Sequence, residues 1–208
     1  METALLNART HWEHIYETKT TQQVSWTQED PQPSLDWILK LALDPSSFIV
    51  DSGGGRSLLA EKLTEQGFSD VEVFDISMRA LTQARQELKS EVAREAISYR
   101  VCNVLDYKPE KDITVWHDRA VFHFLVDEDQ RGTYIDNLKK WAPKHVILGT
   151  FSPNGPLKCS GLPIQQYAAD DLVSLFAPEY TLVRSEERIH VTPTGNTQAF
   201  TFVELQRA

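Results

Sequence analysis

Phe48-Ile49-Val50-Asp51-Ser52-Gly53-Gly54-Gly55-Arg56-Ser57 is the stretch on which the reading of this 208-residue chain turns. Phe48-Ile49-Val50 is an apolar run of the length expected for a buried parallel strand. Leu58, Leu59, Lys62, Leu63 and Gln66 follow at helical spacing, with Gly67 placed to end the helix. An acid at a strand tip, three glycines and a helix start make a ligand-binding first crossover. Glycine lets the backbone approach a ligand, and a helix N-terminus offers free N–H groups. Taken alone, the same residues also fit an ordinary turn joining strand to helix.

Further strands and helices alternate around this unit. Val71-Glu72-Val73-Phe74-Asp75 reads as a second strand, followed by Ser77 capping a helix through Leu81, Ala84, Leu88 and Val92. Ile97 to Cys102 is a third strand ending at Asn103, and Ile113 to Trp116 a fourth ending at His117-Asp118. Asp127 caps a helix through Tyr134, Ile135, Leu138 and Trp141, and Val146-Ile147-Leu148 is the fifth strand. A Pro- and Gly-rich loop over 152–163 and a helix over about 169–177 lead to two strands separated by Pro193-Thr194-Gly195-Asn196, a hairpin signal. The pattern predicts an α/β fold, a doubly wound and mostly parallel sheet closed by a C-terminal antiparallel hairpin. Upstream, Trp12, Ile15 and Tyr16 share one face of a helix near 7–17. Trp26 stands in a polar loop, as a plug on the core or as part of a lid, and Ser34 caps a helix with Leu35, Ile38, Leu39 and Ala42 inward.

Bulk properties exclude several classes. Hydrophobic residues make up 41% and charged residues 25%, as in a soluble globular domain. A net charge of −9 opposes attraction to nucleic-acid backbones and anionic membranes, so nucleic acid is an unlikely partner. Cys102 and Cys159 are too few for a disulfide framework or a zinc site, and the six His are scattered, so no metal is expected. No apolar run reaches membrane-spanning length, and Met1-Glu2-Thr3-Ala4-Leu5-Leu6 lacks a secretory pattern. A cytoplasmic location follows as the expectation; oligomeric state stays open.

In doubly wound sheets ligands bind beyond the carboxyl ends of the strands. Here those ends carry Asp51, Asp75, Asn103 and His117-Asp118. Asp75 suits the two hydroxyls of a ribose, and the Asn103 amide suits an adenine edge. Asp51, two residues before Gly53, suits a cationic ligand part such as an aminoacyl ammonium better than a pyrophosphate. No glycine stands three residues past Gly55, where a dinucleotide fingerprint has its third and this chain has Leu58, although Arg56 leaves a phosphate ligand open.

Asp51-Ser52-Gly53-Gly54-Gly55, Asp75-Ile76 and Asn103-Val104 resemble the motifs of class I S-adenosylmethionine-dependent methyltransferases over about residues 48–151. The resemblance implies a Rossmann-like, seven-stranded sheet and S-adenosyl-L-methionine as cofactor, held by Asp51, Gly53, Gly54, Gly55, Asp75, Ile76, Asn103, Val104 and Asp118. The family usually has an acid where this chain has Asn103. His11-Trp12-Glu13-His14-Ile15-Tyr16 with Val24-Ser25-Trp26, and Asp118 to His123, resemble segments of enzymes related to the elongation-factor lysine methyltransferases. That likeness implies that Trp12, Tyr16 and Trp26 help enclose the cofactor. The chain is then expected to be one domain over 1–208, with an N-terminal lid segment (1–45) and a core (46–208).

Methyl transfer is an in-line displacement for which the protein positions and desolvates the nucleophile. His117, Asp118 and His123 are the expected catalytic residues, His because it titrates near neutrality. His117 equally fits a strand end, and His123, between Phe122 and Phe124, a core histidine. The acceptor is a protein lysine or a small molecule. Two other readings stand beside the transferase: a nicotinamide-dependent oxidoreductase using Asp75 on the ribose, and a non-catalytic binding protein of the same fold.

Overall fold

Short β-branched and aromatic runs, each bounded by polar turns, pair into the sheet on which everything else is mounted. The structure, a computed structural model, describes residues 2–208, with side chains from Asn7 onward. The reading of Met1 to Leu6 as lacking a secretory pattern thus concerns Met1 and side chains outside the described residues. In chain order the first half comprises α1 (Glu2–Thr18), α2 (Ser34–Lys40), β1 (Ile49–Ser52), α3 (Leu59–Glu65), β2 (Val71–Asp75), α4 (Met78–Glu87), α5 (Glu91–Ala96) and β3 (Ile97–Val101). The second half comprises β4 (Val115–Arg119), α6 (Glu128–Trp141), β5 (His145–Phe151), the small strands β6 (Lys158–Cys159) and β7 (Leu162–Pro163), α7 (Ala169–Phe176), β8 (Tyr180–Val191) and β9 (Thr197–Arg207).

Seven of the strands form one sheet in the order β3-β2-β1-β4-β5-β9-β8. The first five are mutually parallel, and β9 runs antiparallel to both β5 and β8. This is the mostly parallel sheet with terminal hairpin that the sequence pattern predicts. Strand residues alternate between two cores, as the twofold side-chain period requires. Ile49, Val73, Val115 and Ile147 pack beneath α2 and α3, whereas Val50, Phe74, Trp116 and Leu148 pack beneath α6 and α7.

Register then decides where polar residues go. Asp51 pairs with His117 and Ser52 with Asp118 across the parallel β1–β4 ladder. Partners in a parallel pair point to the same face, so Asp51 and His117 share the α2 side. Asp118 shares the α6 side with Trp116.

Three local expectations are corrected. The helix after Ser77 does not continue to Val92. Ser77 does cap it, accepting from the Ala80 N–H at 3.1 Å, but Leu88 turns extended and the chain restarts as α5, leaving Val92 exposed. The Lys89 N–H is taken by the Glu61 carboxylate at 2.9 Å, which holds this break. Ser34 does not cap α2: its hydroxyl is buried against His117, and Ala42, where α2 has ended with a positive φ of 50°, is exposed. The loop over 152–163 contains the β6–β7 hairpin.

Candidate functional site

A cavity of about 380 Å³ opens over the carboxyl ends of β1, β2 and β4 and the turn after β3. Its size is that of a small-molecule site. Asp51, Gly53, Gly54, Asp75, Ile76, Asn103 and Val104 line its floor; Trp12, Tyr16 and Trp26 line its roof. These ten residues, drawn from five separate segments, all figured in the sequence reading. Gly55 does not line the cavity but lies beneath Tyr16.

Asp51 is 2% exposed. Its Oδ1 lies 2.7 Å from His117 Nδ1, and His117 Nε2 lies 2.7 Å from Ser34 Oγ. With the Nδ1 proton donated to the carboxylate, Nε2 accepts from the Ser34 hydroxyl, and the chain of polar groups is satisfied. Asp51 Oδ2, by contrast, has no protein partner. A buried carboxylate oxygen without a donor is costly, and a cationic ligand group supplies what is missing. The Gly54 backbone packs directly against this oxygen. A side chain at Gly54 would bring its Cβ within 2.6 Å of that oxygen and 2.7 Å of Val73 Cγ1. At Gly55, whose φ is +52°, a Cβ would collide with Tyr16 Oη. The two glycines therefore permit a close approach that no other residue allows.

Asp75 accepts from the Ser77 N–H through Oδ1 at 2.8 Å. Burial pushes its carboxyl up to about 7, opposed by the Ser77 hydrogen bond and reinforced by the Asp51 charge. Two carboxylates thus face one cavity, which favours hydroxyl and ammonium donors. A pyrophosphate placed here would meet like charge, so the geometry speaks against the nicotinamide dinucleotide reading. Asn103 commits its carbonyl oxygen to the Leu105 N–H at 2.8 Å, leaving the amide nitrogen as a donor for a ligand.

Three rings build the roof. Trp12 stands edge-on to Trp26 at 5.6 Å and to Phe124 at 5.2 Å, and Tyr16 to Trp26 at 6.3 Å. Trp26 both packs on the α2-side core and lines the cavity. Glu13 fastens this roof: its carboxylate accepts from the Met78 N–H at 2.7 Å and the Arg79 N–H at 3.3 Å, at the start of α4. A carboxylate there also complements the helix dipole. The sequence reading missed Glu13, although its place one turn before Tyr16 was a signal.

The expected catalytic residues do not reach the cavity. His117 is turned onto Asp51 and Ser34 by the β1–β4 register. Asp118 is fully buried and accepts from Tyr134 Oη at 2.7 Å and from the Val121 and Phe122 N–H groups at 3.0 and 3.2 Å. It fixes the turn after β4, and burial raises its carboxyl to about 6. His123 is fully buried; its Nδ1 accepts from the Phe151 N–H at 3.3 Å, and its ring packs on Phe151 and Phe124. Burial and the nearby Arg119 charge lower it to about 3, so it is a neutral core histidine at physiological pH. The end of β4 and the turn after it present Arg119, Ala120, Val121 and Phe124 to the cavity instead. Among the described residues, no cluster of three side chains suited to a metal ion occurs, and no helix is long and apolar enough to cross a membrane.

No protein-family model and no curated protein sequence matches the chain. Solved structures do. A methyltransferase from Anabaena variabilis, described as S-adenosylmethionine-dependent, superposes with a TM-score of 0.73 at 18% identity over 97% of this chain and 95% of its own. The Burkholderia thailandensis 1,6-didemethyltoxoflavin-N1-methyltransferase, solved with S-adenosylhomocysteine, gives 0.71 at 18% over 100% and 89%. Magnesium protoporphyrin IX methyltransferase from Synechocystis, also with S-adenosylhomocysteine, gives 0.67 at 17% over 97% and 94%. The sheet order, the terminal hairpin and these superpositions together establish that the chain has the fold of the class I S-adenosylmethionine-dependent methyltransferases.

Proposed function

We propose that this chain is an S-adenosylmethionine-dependent methyltransferase acting on a small molecule. The observation that carries the reading is the unpartnered Oδ2 of buried Asp51 beside the side-chain-free backbone of Gly54. In this reading Asp51 takes the ammonium of the cofactor, Asp75 its ribose hydroxyls, and Ile76, Asn103 and Val104 surround its adenine. Trp12, Tyr16 and Trp26 close over it and exclude water. When bound, S-adenosylmethionine supplies a methyl group on a sulfonium centre and carries its own leaving group.

The chain's contribution is then positioning and desolvation. Among the described residues lining the cavity there is no histidine, which favours acceptors already nucleophilic at neutral pH. A small-molecule acceptor agrees with the enclosed, ring-roofed cavity. It also agrees with the named acceptors of two structural neighbours, a didemethyltoxoflavin and magnesium protoporphyrin IX. The likeness to elongation-factor lysine methyltransferases is taken as a likeness of lid construction. We read 1–208 as one catalytic domain, and the free thiols of Cys102 and Cys159 suit a cytoplasmic setting.

Isothermal titration with S-adenosylhomocysteine and with NAD tests the cofactor. Binding of the former and not the latter is expected; NAD binding alone would end this proposal. Gly54→Ala is expected to weaken S-adenosylhomocysteine at least about tenfold, because its Cβ would push the Asp51 carboxylate and Val73 from the positions they hold. Transfer of a labelled methyl group to a small molecule of a cell extract separates an enzyme from a non-catalytic binding protein.

A further inference from the structure

The cavity holds one feature that the cofactor reading leaves unused. Arg119, the last residue of β4, lines the cavity, and its Nε and Nη2 atoms are buried without any hydrogen-bond partner. Nη1 donates to the Trp26 carbonyl at 2.8 Å, and the guanidinium lies over the Phe200 ring, 4.8 Å from its centre. Lid and β9 therefore hold the side chain from two sides while half of its donor fork is left open. A guanidinium presents those donors in the planar geometry that a carboxylate accepts.

The other cations lining the cavity, among the described residues, are differently placed. Lys19 is exposed, and Arg56 is paired with Glu87. Arg119 alone of the three combines burial with free donors. Its place in the sheet matters as well. Asp51 stands next to the end of β1 and Asp75 ends β2, whereas Arg119 ends β4 and leans on β9, toward the other side of the sheet order. The cavity lining also includes Trp26, Phe124, Cys159, Leu162 and Pro163, a mainly apolar set, of which Trp26 touches Arg119 through its carbonyl.

From these observations we infer that Arg119 is the anion receptor of an acceptor subsite, and that the acceptor is a small organic acid with an apolar body whose carboxylate pairs with the open edge of the guanidinium. The inference rests on the methyltransferase reading for its word "acceptor", but the anion site itself rests on Arg119. Its strongest rival is that Arg119 instead binds the carboxylate of the cofactor's own amino-acid tail.

Calorimetry on the full chain saturated with S-adenosylhomocysteine tests this, using benzoate, phenylacetate and hexanoate beside their primary amides. At least one acid is expected to bind about tenfold or more tighter than its amide, as loss of a charge-assisted hydrogen bond implies. Arg119→Met should abolish that preference while changing S-adenosylhomocysteine affinity by less than about threefold. Arg119→Lys, which keeps the cation but not the fork, should lose most of it; should the Met variant bind neither nucleoside ligand, the Lys variant carries the comparison. Acid and amide binding alike, no acid binding to the wild type, or an unchanged preference in the variants overturns the inference. So does weakened S-adenosylhomocysteine with unchanged methylthioadenosine, which lacks the amino-acid tail, since Arg119 would then serve the cofactor. A wild-type chain that binds no S-adenosylhomocysteine overturns the methyltransferase reading; the acid and amide arms then still decide the anion site.

Discussion

Asp75→Asn is expected to weaken S-adenosylhomocysteine by about a hundredfold at pH 8, and also to raise the melting temperature of the ligand-free chain. The two effects come from one carboxylate. In the folded chain it is 7% exposed and its pKa is pushed up to about 7, first by burial and further by Asp51. An acid whose folded pKa lies above its unfolded value stabilises the fold below the unfolded pKa, and loses that contribution as pH rises through the folded one. The ligand-free chain is therefore less stable at pH 8 than at pH 5 on account of Asp75, by on the order of 2–4 kcal/mol. Asparagine keeps an oxygen for the Ser77 N–H and removes the charge, so the pH 8 melting temperature should rise by about 5–10 °C. In the proposed cofactor assignment the same change removes the acceptor for two ribose hydroxyls, each bond to a charged group being worth about 1.5–3 kcal/mol. Ribose donors favour the ionised carboxyl, so wild-type affinity should tighten as pH climbs through about 7, with proton release on binding below it. A ligand-free Asp75→Asn chain that melts lower than wild type at pH 8, or an affinity that falls with rising pH, would show the carboxylate to be structural.

The part of this cavity that we assign to the cofactor was legible because local rules place it. An acid at a strand tip, glycines before a helix and an acid at the next strand tip sit at the carboxyl edge of a parallel sheet wherever the strands begin and end. Asp51, Gly53, Gly54, Asp75, Ile76, Asn103 and Val104 needed no more than that, and they line the cavity as read. His117 and Asp118 needed register. Consecutive residues in a strand point to opposite faces, and only the pairing of β1 with β4 tells which one meets Asp51. The pairing sends His117 to Asp51 and sends Asp118 away beneath α6, so neither acts where the strand-end rule puts it. His123 presented two readings in one aromatic run, and burial on Phe151 decided for the core. Arg119 escaped notice because nothing in Asp118-Arg119-Ala120 shows that its donors end up without partners. That follows from the lid carbonyl of Trp26 and the ring of Phe200, one far before it and the other far after it in the chain.

Asp118 supplies the second large effect, on stability. Asp118→Ala is expected to lower the melting temperature by about 10 °C at pH 5 and by less at pH 8. The carboxylate is fully buried and gathers three donors: Tyr134 Oη and the Val121 and Phe122 N–H groups. Tyr134 in turn accepts from Trp116 Nε1 at 2.9 Å, and Trp116 is a fully buried side chain at the centre of the α6-side core. Alanine leaves these donors without an acceptor, and each such buried group costs about 1–3 kcal/mol. Burial raises the Asp118 pKa to about 6, against the stabilising pull of its three donors. By the same sign as for Asp75, its contribution is largest at low pH and declines as pH rises through about 6, because the ionised form carries the desolvation cost. The gap between wild type and Asp118→Ala must therefore narrow between pH 5 and pH 8; a gap that widens would mean the charge is stabilised by something other than these three donors. Asp118→Asn distinguishes scaffold from chemistry. Its amide oxygen still accepts from the two backbone N–H groups, so methyl transfer should persist if Asp118 only fixes the turn that presents Arg119 and Val121. Loss of transfer with unchanged S-adenosylhomocysteine binding and melting temperature would instead return Asp118 to the reaction.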